Sequence, residues 1–295
     1  MFLGTYPAPS TSTKPTQLIS EQVSHHPPIT AYHINTPYNI TLTGYNGADL
    51  SFKSGYIVVR QTGHAQLTIT LPDNTKETFY ITLPDLKIQG LLSFAPYVEL
   101  DRTTYIMSST GYLATIDYAG KGWISGQKNS FTATLAKGQD TLYKITGQWT
   151  GESTSTSVLH PAQKNIPFWN AKVNHPTHIV VAPVPAQSPW ESRKVWEHVA
   201  SAIEKNDVET AGRYKSAIEI GQRKMREEET RTGESWKPRF FKWVENDVVA
   251  SELRGELAGL TGHGGLGGKV GSWVFAPDEE DQKVLESGEL FRGGS

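Results

Sequence analysis

The stretch Ala65-Gln66-Leu67-Thr68-Ile69-Thr70-Leu71 alternates apolar and polar side chains at every step. This is the period-two pattern of a β-strand with one dry face and one wet face. Pro72-Asp73-Asn74-Thr75 follows as a turn, and Phe79, Ile81 and Leu83 resume the alternation. Further strand-like runs occur at Leu86 to Leu92, Tyr105 to Ile116, Phe131 to Leu135 and Leu142 to Trp149. Most are set apart by turns containing Gly, Asn or Asp, which tolerate left-handed backbone. From Ile29 to about Thr150 the chain therefore reads as a series of short strands. Such a meander must close into a barrel or stack as a sandwich to protect its edges. Nothing here alternates strand with helix, which argues against a dinucleotide-binding α/β sheet.

The character changes at Ala182-Pro183-Val184-Pro185-Ala186-Gln187, a stiff connector. Ser188-Pro189-Trp190-Glu191 then places Ser at an N-cap, Pro at the first helical position and Glu three residues after the cap. A helix is expected through Val195, Val199 and Ile203, broken at Asn206-Asp207, with a second from about Val208 to Arg231. The glycine-rich region Gly255 to Gly271 reads as loop, and the Gly-Gly-Ser ending reads as disordered. The expected fold class is mainly β with C-terminal helices: a partial antiparallel barrel or meander. Residues 1–187 would form the partial barrel and 188–241 a helical segment completing the same domain. Residues 242–295 would be a Gly-rich, partly disordered tail.

Composition narrows the function. The chain has 295 residues, of which 28 are basic and 30 acidic, giving a net charge of −2. That balance argues against the broad basic field of a non-specific nucleic-acid binder. The absence of cysteine removes disulfides, thiol catalysis, iron–sulfur clusters and Cys-based zinc sites. No run of about 18 apolar residues is present. His175 and His178 flank Pro176 without an acidic cluster, a poor metal-ligand set. The string Gly262-His263-Gly264-Gly265-Leu266-Gly267 lacks the strand and βαβ context of a dinucleotide site. No nucleophile–base arrangement stands out, and the expectation is a protein that is not an enzyme and needs no cofactor or metal.

The most informative segment is Glu21-Gln22-Val23-Ser24-His25-His26-Pro27-Pro28. Proline after His26 restricts that residue to extended backbone, so the pair is not helical. Imidazoles can donate hydrogen bonds to phosphate oxygens and add charge when protonated. Two rings merely closing a turn are the bland alternative. This octapeptide resembles, residue for residue, the signature of the oxysterol-binding protein-related family of lipid-transfer proteins. Gly44-Tyr45-Asn46, Gln61-Thr62-Gly63-His64, Ser108-Ser109-Thr110-Gly111, Lys128-Asn129-Ser130-Phe131 and Gly147-Gln148-Trp149 follow in the family's order. So do Glu191-Ser192-Arg193-Lys194-Val195-Trp196 and the Trp236 to Phe241 stretch. The resemblance covers roughly Leu18 to Phe241 and is nearest to short fungal members made of the lipid-binding domain alone.

Lys215, Glu219 and Arg223 fall at i, i+4 and i+8, one stripe of a helix. Glu219 ahead of Arg223 has the favourable orientation for a helical ion pair. Composition alone would make this a solvated charged face. The resemblance implies instead that Lys215, Glu219, Gln222 and Arg223 bind a phosphoinositide headgroup, with His25 and His26 on the opposite wall. Lys and Arg would neutralise phosphate, Arg in bidentate fashion. It also implies that Asn46 and Gln61 lie at the buried sterol-hydroxyl end of a lipid tunnel. The alternative is that Asn46 shapes a turn and Gln61 is simply exposed.

The family carries a lid, helices and an Asn-Pro-x-Leu-Gly-Glu segment before the signature. Here Phe2-Leu3-Gly4 matches that segment only faintly, with Thr5 where Glu is expected. The lid and part of the tunnel wall are thus expected to be missing, through an incomplete gene reading or a shortened paralogue. The implied function is carriage of a sterol or other lipid between membranes, in exchange for phosphatidylinositol 4-phosphate. The expected partners are those lipids and transient membrane surfaces, with no nucleic acid, and the expected location is cytoplasmic and peripheral on membranes. The alternatives are a phosphoinositide-responsive regulator that carries no lipid and, more remotely, a carbohydrate-active barrel.

Overall fold

The computed structural model describes residues 1–8, 14–120, 126–160, 162–234, 236–262 and 268–292. One 14-stranded sheet dominates. Its first strands are β1 (Phe2–Tyr6), β2 (Thr16–Ser24), β3 (Ile29–Asn35), β4 (Ile40–Lys53), β5 (Tyr56–Thr70) and β6 (Lys76–Thr82). Next come β7 (Asp85–Gln89), β8 (Tyr97–Asp101), β9 (Thr103–Ser108), β10 (Tyr112–Ala119) and β11 (Ser130–Lys137). β12 (Asp140–Gln148), β13 (Glu152–Ser157) and β14 (Ile166–Asn170) finish it. Neighbours are antiparallel throughout, and the path runs from β1 to β6, on to β9 and out to β14, with β7–β8 set aside as a hairpin on β5. β1 and β14 are the two ends of that path, so the sheet is a partial barrel rather than a closed one.

The alternating stretch that opens the sequence reading is the second half of β5, and its turn forms as expected: Leu71 N donates to Thr75 O at 2.8 Å. Tyr105 to Ile116 is two strands rather than one. Ser108 and Thr110 hydroxyls both donate to Glu77, at 2.5 and 2.6 Å, and Gly111 turns the chain at φ 85°. Leu86 to Leu92 is likewise cut short, because Gly90 in left-handed backbone ends β7 and starts a turn of 3-10 helix.

The helices are α1 (Ser192–Val195), α2 (Glu197–Glu204), α3 (Val208–Thr232), α4 (Val248–Thr261) and α5 (Glu279–Ser287). The Ser188 cap is displaced. Glu191 Oε1 accepts from Ser188 N at 2.8 Å, half of the expected box, but Glu191 is itself the residue from which α1 starts. Asp207 caps α3 through Thr210 N, as the break at Asn206-Asp207 implied.

The C-terminal region departs most from expectation. Gly255 and Gly259 lie inside α4, not in a loop, because Ala250, Leu253 and Leu257 bury one side of that helix. Residues 263–267, which carry the glycine string, and 293–295, which end the chain, lie outside the described residues. Two more strands, β15 (Phe241–Val244) and β16 (Ser272–Phe275), pair with each other. Phe240 and Phe241 are fully buried with Leu3, Ile19, Val23, Ala31, Leu285 and Leu290. Tyr80, Tyr105, Met107 and Leu113 meet α4 in a second cluster. Phe240, Phe241, α4, Val270, α5 and Leu290 therefore supply core that covers one face of the sheet, the packed face.

Two histidines sit on that face. His33 stacks on Phe275 at 3.9 Å with Nδ1 2.7 Å from Thr43 Oγ1. His64 Nε2 lies 2.9 Å from Ser272 Oγ, with the ring against Tyr45 and Tyr80. Burial holds both imidazoles down at about 4. The unfolded chain takes up these protons first as pH falls, so their contribution is complete above about 6.5 and is lost as pH drops towards 4. Urea unfolding across that window should show a loss on the order of 3 kcal/mol per histidine, and His64→Asn should flatten the slope. At constant pH, Phe241→Ala should cost about 3–5 kcal/mol in the same assay, because a fully packed ring leaves a cavity.

Candidate functional site

The opposite, open face follows from the same alternation. Residues paired directly across antiparallel strands share a face. Leu18, Ile34, Leu42, Leu67 and Phe79 form one apolar row straight across β2 to β6. Further along the strands, beyond the β2–β3 turn, Leu50, Val59, Leu86 and Leu100 form another, and Phe52, Ile57, Ile88 and Val98 a third. Between these zones lies a polar band of Gln22, Thr30, Asn46 and Gln61. The side chains of the first row are half-buried, and Leu50 and Phe52 are exposed.

Asn46 and Gln61 are brought together in that band. Asn46 Nδ2 donates to Gln61 Oε1 at 3.2 Å, and Gln61 Nε2 donates to Pro84 O at 2.7 Å. Both are half-buried and mid-strand, so Asn46 shapes no turn and Gln61 is not simply exposed. Gly63 lets β4 approach here. Its φ is 114°, and a Cβ would lie 2.1 Å from Tyr45 O.

His25 and His26 occupy the exposed turn between β2 and β3, with ring centroids 4.3 Å apart. The His26–Pro27 peptide is cis. Burial, then the neighbouring His26, then Arg226 hold the His25 imidazole below its ordinary range. Arg226 was not anticipated, yet it continues the stripe of Lys215, Glu219 and Gln222 at four- and three-residue steps. That spacing is the signal by which it could have been found.

The α3 residues Lys215, Glu219, Gln222 and Arg223 are all exposed. Glu219 pairs with Lys215 rather than with Arg223, a correction to the orientation argument. Its carboxylate reaches the more flexible lysine ammonium one turn back. Among the described residues no hydrogen bond or ion pair joins this group to His25 or His26. α3 is anchored at its start, where Ala211 and Ile218 pack on Val199 and Ala202 of α2.

Within the signature, alternation sends Glu21 and Val23 to the packed face, where both are buried. Glu21 accepts from Arg239 N at 2.8 Å and Phe240 N at 2.9 Å. Burial raises its carboxyl above the usual range against the pull of those two bonds. Arg239 in turn lays its guanidinium on Asp281, with Nε 2.9 and 3.0 Å from the two oxygens. Among the described residues no group of His, Asp and Glu could hold a metal ion, and no helix is long and apolar enough to cross a membrane.

The open sheet face is thus apolar and crossed by a narrow polar band, with two imidazoles at one turn, and α3 carries an exposed charged stripe. The chain belongs to the oxysterol-binding protein family, whose profile matches residues 3–201. It is 42% identical over 239 residues to the protein kes1 of Schizosaccharomyces pombe, covering 79% of this chain and 60% of that one. The chain thus spans less than two thirds of that relative's length. Its fold matches the Osh1 ORD domain in complex with cholesterol at TM-score 0.73 and 20% identity, over all of this chain and 70% of that one. It also matches the Osh3 ORD of Saccharomyces cerevisiae in complex with PI(4)P at TM-score 0.61 and 17% identity, over 95% of this chain and 69% of that one. Glu21→Ala should destabilise the protein by about 2–4 kcal/mol in urea, since it strands the buried Phe240 N–H and the half-buried Arg239 N–H.

Proposed function

We propose that the chain binds a sterol or another lipid on the open sheet face and transfers it between membranes, in exchange for phosphatidylinositol 4-phosphate. The observation that carries this reading is the amide pair Asn46–Gln61 set in a half-buried apolar face. A sterol has a rigid apolar body and one hydroxyl, which is the complement of such a face. Each CH₂ equivalent removed from water contributes about 0.8 kcal/mol, so tens of them offset extraction from a bilayer. The amides, alone or through water, satisfy the hydroxyl. No covalent step is needed.

For the phosphoinositide, His25 and His26 donate to phosphate oxygens, and Lys215 and Arg223 neutralise its charge. Glu219 orients Lys215 and accepts from inositol hydroxyls, and Gln222 adds an amide. An arriving phosphate would offset the charge that Arg226 places near His25. Membership in the family supports the reading, as do the cholesterol and PI(4)P complexes of the Osh1 and Osh3 domains.

The test is extraction of phosphatidylinositol 4-phosphate and a fluorescent sterol from liposomes. The parent should remove both. His25→Ala/His26→Ala and Arg223→Glu should each lose the phosphoinositide alone and keep the sterol. A bulky Asn46→Phe should lose sterol alone. Headgroup binding without extraction of either lipid would replace transfer with the regulatory alternative.

A further inference from the structure

Loops that expose large apolar side chains usually fold them back. The loop over residues 90–96, between β7 and β8, does the reverse. Phe94 is 94% exposed and Leu92 83% exposed. The loop is also held in one shape: Ala95 N donates to Gly90 O at 3.1 Å, Phe94 N to Leu91 O at 3.3 Å, and Ser93 Oγ to Gly90 O at 3.0 Å. A Cβ on Gly90 would lie 2.2 Å from Ala95 O, so the turn tolerates nothing larger there. Phe94 sits at φ 54°, left-handed backbone that is unfavourable for a bulky residue. The fold thus accepts backbone strain in order to hold an aromatic ring in water, a combination that points to function.

Leu92 packs towards the β4–β5 turn at Gly55, and the exposed Phe52 stands beside that turn. The register places this tip about 20 Å beyond Gly47, which lies level with Pro28 of the histidine turn. Both therefore lie at the same end of the sheet. The only charges in residues 50–59, 90–97 and 126–130 are Lys53 and Lys128. Lys128 rests 3.6 Å over the Tyr97 ring at the foot of the loop.

We infer that this loop, with the β4–β5 tip, is a docking wedge for an anionic bilayer surface. Leu92, Phe94 and Phe52 enter the acyl boundary while Lys53 and Lys128 meet anionic headgroups. This does not rest on the exchange reading, because docking can be measured without extraction. The absence of cysteine makes a single label straightforward. The full chain carrying Phe94→Cys, labelled with a polarity-sensitive fluorophore, would be mixed with vesicles of phosphatidylcholine alone or with added phosphatidylserine. Emission should shift to the blue with the anionic vesicles and be quenched by spin-labelled acyl chains. In the unlabelled chain, Leu92→Asp and Phe94→Asp should each weaken vesicle co-sedimentation roughly tenfold or more. Lys53→Ala and Lys128→Ala should each weaken it about fivefold, on anionic vesicles only. Both sites are exposed, and unchanged circular dichroism would confirm folding. An unshifted label on co-sedimenting protein, unchanged binding by the aspartate variants, or no co-sedimentation would overturn the inference. So would a shift that follows protein concentration without lipid, which would assign the wedge to a second copy of the chain.

Discussion

The bond pair from Glu21 to the backbone of Arg239 and Phe240 is the contact on which the rest of the arrangement turns. A half-covered sheet has to place two demands on one strand. One face must bury enough apolar surface to fold, and the other must stay available. Glu21 fastens the C-terminal chain to β2 at the point where Phe240 and Phe241 enter the core. The Arg239–Asp281 fork then brings α5 to the same place. With the packed face filled in this way, stability comes from the far side of the sheet. The open face is left with apolar side chains that nothing in the core requires.

Strand alternation divides the signature octapeptide between these tasks. Glu21 and Val23 point into the core, Gln22 joins the polar band, and the histidines take the turn. A change at Glu21 and a change at His25 would both register as defects of the same motif, yet they act through different physics. The first strands backbone donors, and the second alters an exposed imidazole pair.

Strand identity was legible in the sequence wherever alternation was strict, as from Ala65 to Leu71, because the period itself specifies a sheet with unlike faces. Where polar residues broke the rhythm, as at Ser108 to Gly111, the turn was hidden by hydroxyls whose partner, Glu77, lies 31 residues away. Gly255 and Gly259 misled because local propensity favours loop, while tertiary burial of Ala250, Leu253 and Leu257 decides for helix. The pairing of Asn46 with Gln61 could be suspected only from family likeness, since nothing local sets the β4–β5 register that joins them. Arg226 was visible as spacing but not as proximity. Its relation to His25 depends on how α3 sits beside a turn about 200 residues earlier.

On the edge away from β4, β5 divides its length between two neighbours. Its second half pairs with β6, and its first half with the β7–β8 hairpin, which the main path bypasses from β6 to β9. Because the sheet is continuous without it, the hairpin is a cassette. Its length and tip chemistry can vary in evolution, or be exchanged by grafting, while the strands that frame Asn46 and Gln61 keep their register. If the hairpin tip docks and the framed face carries lipid, as proposed, then address and cargo lie on separate pieces of one sheet, and a lineage could change the first without rebuilding the second.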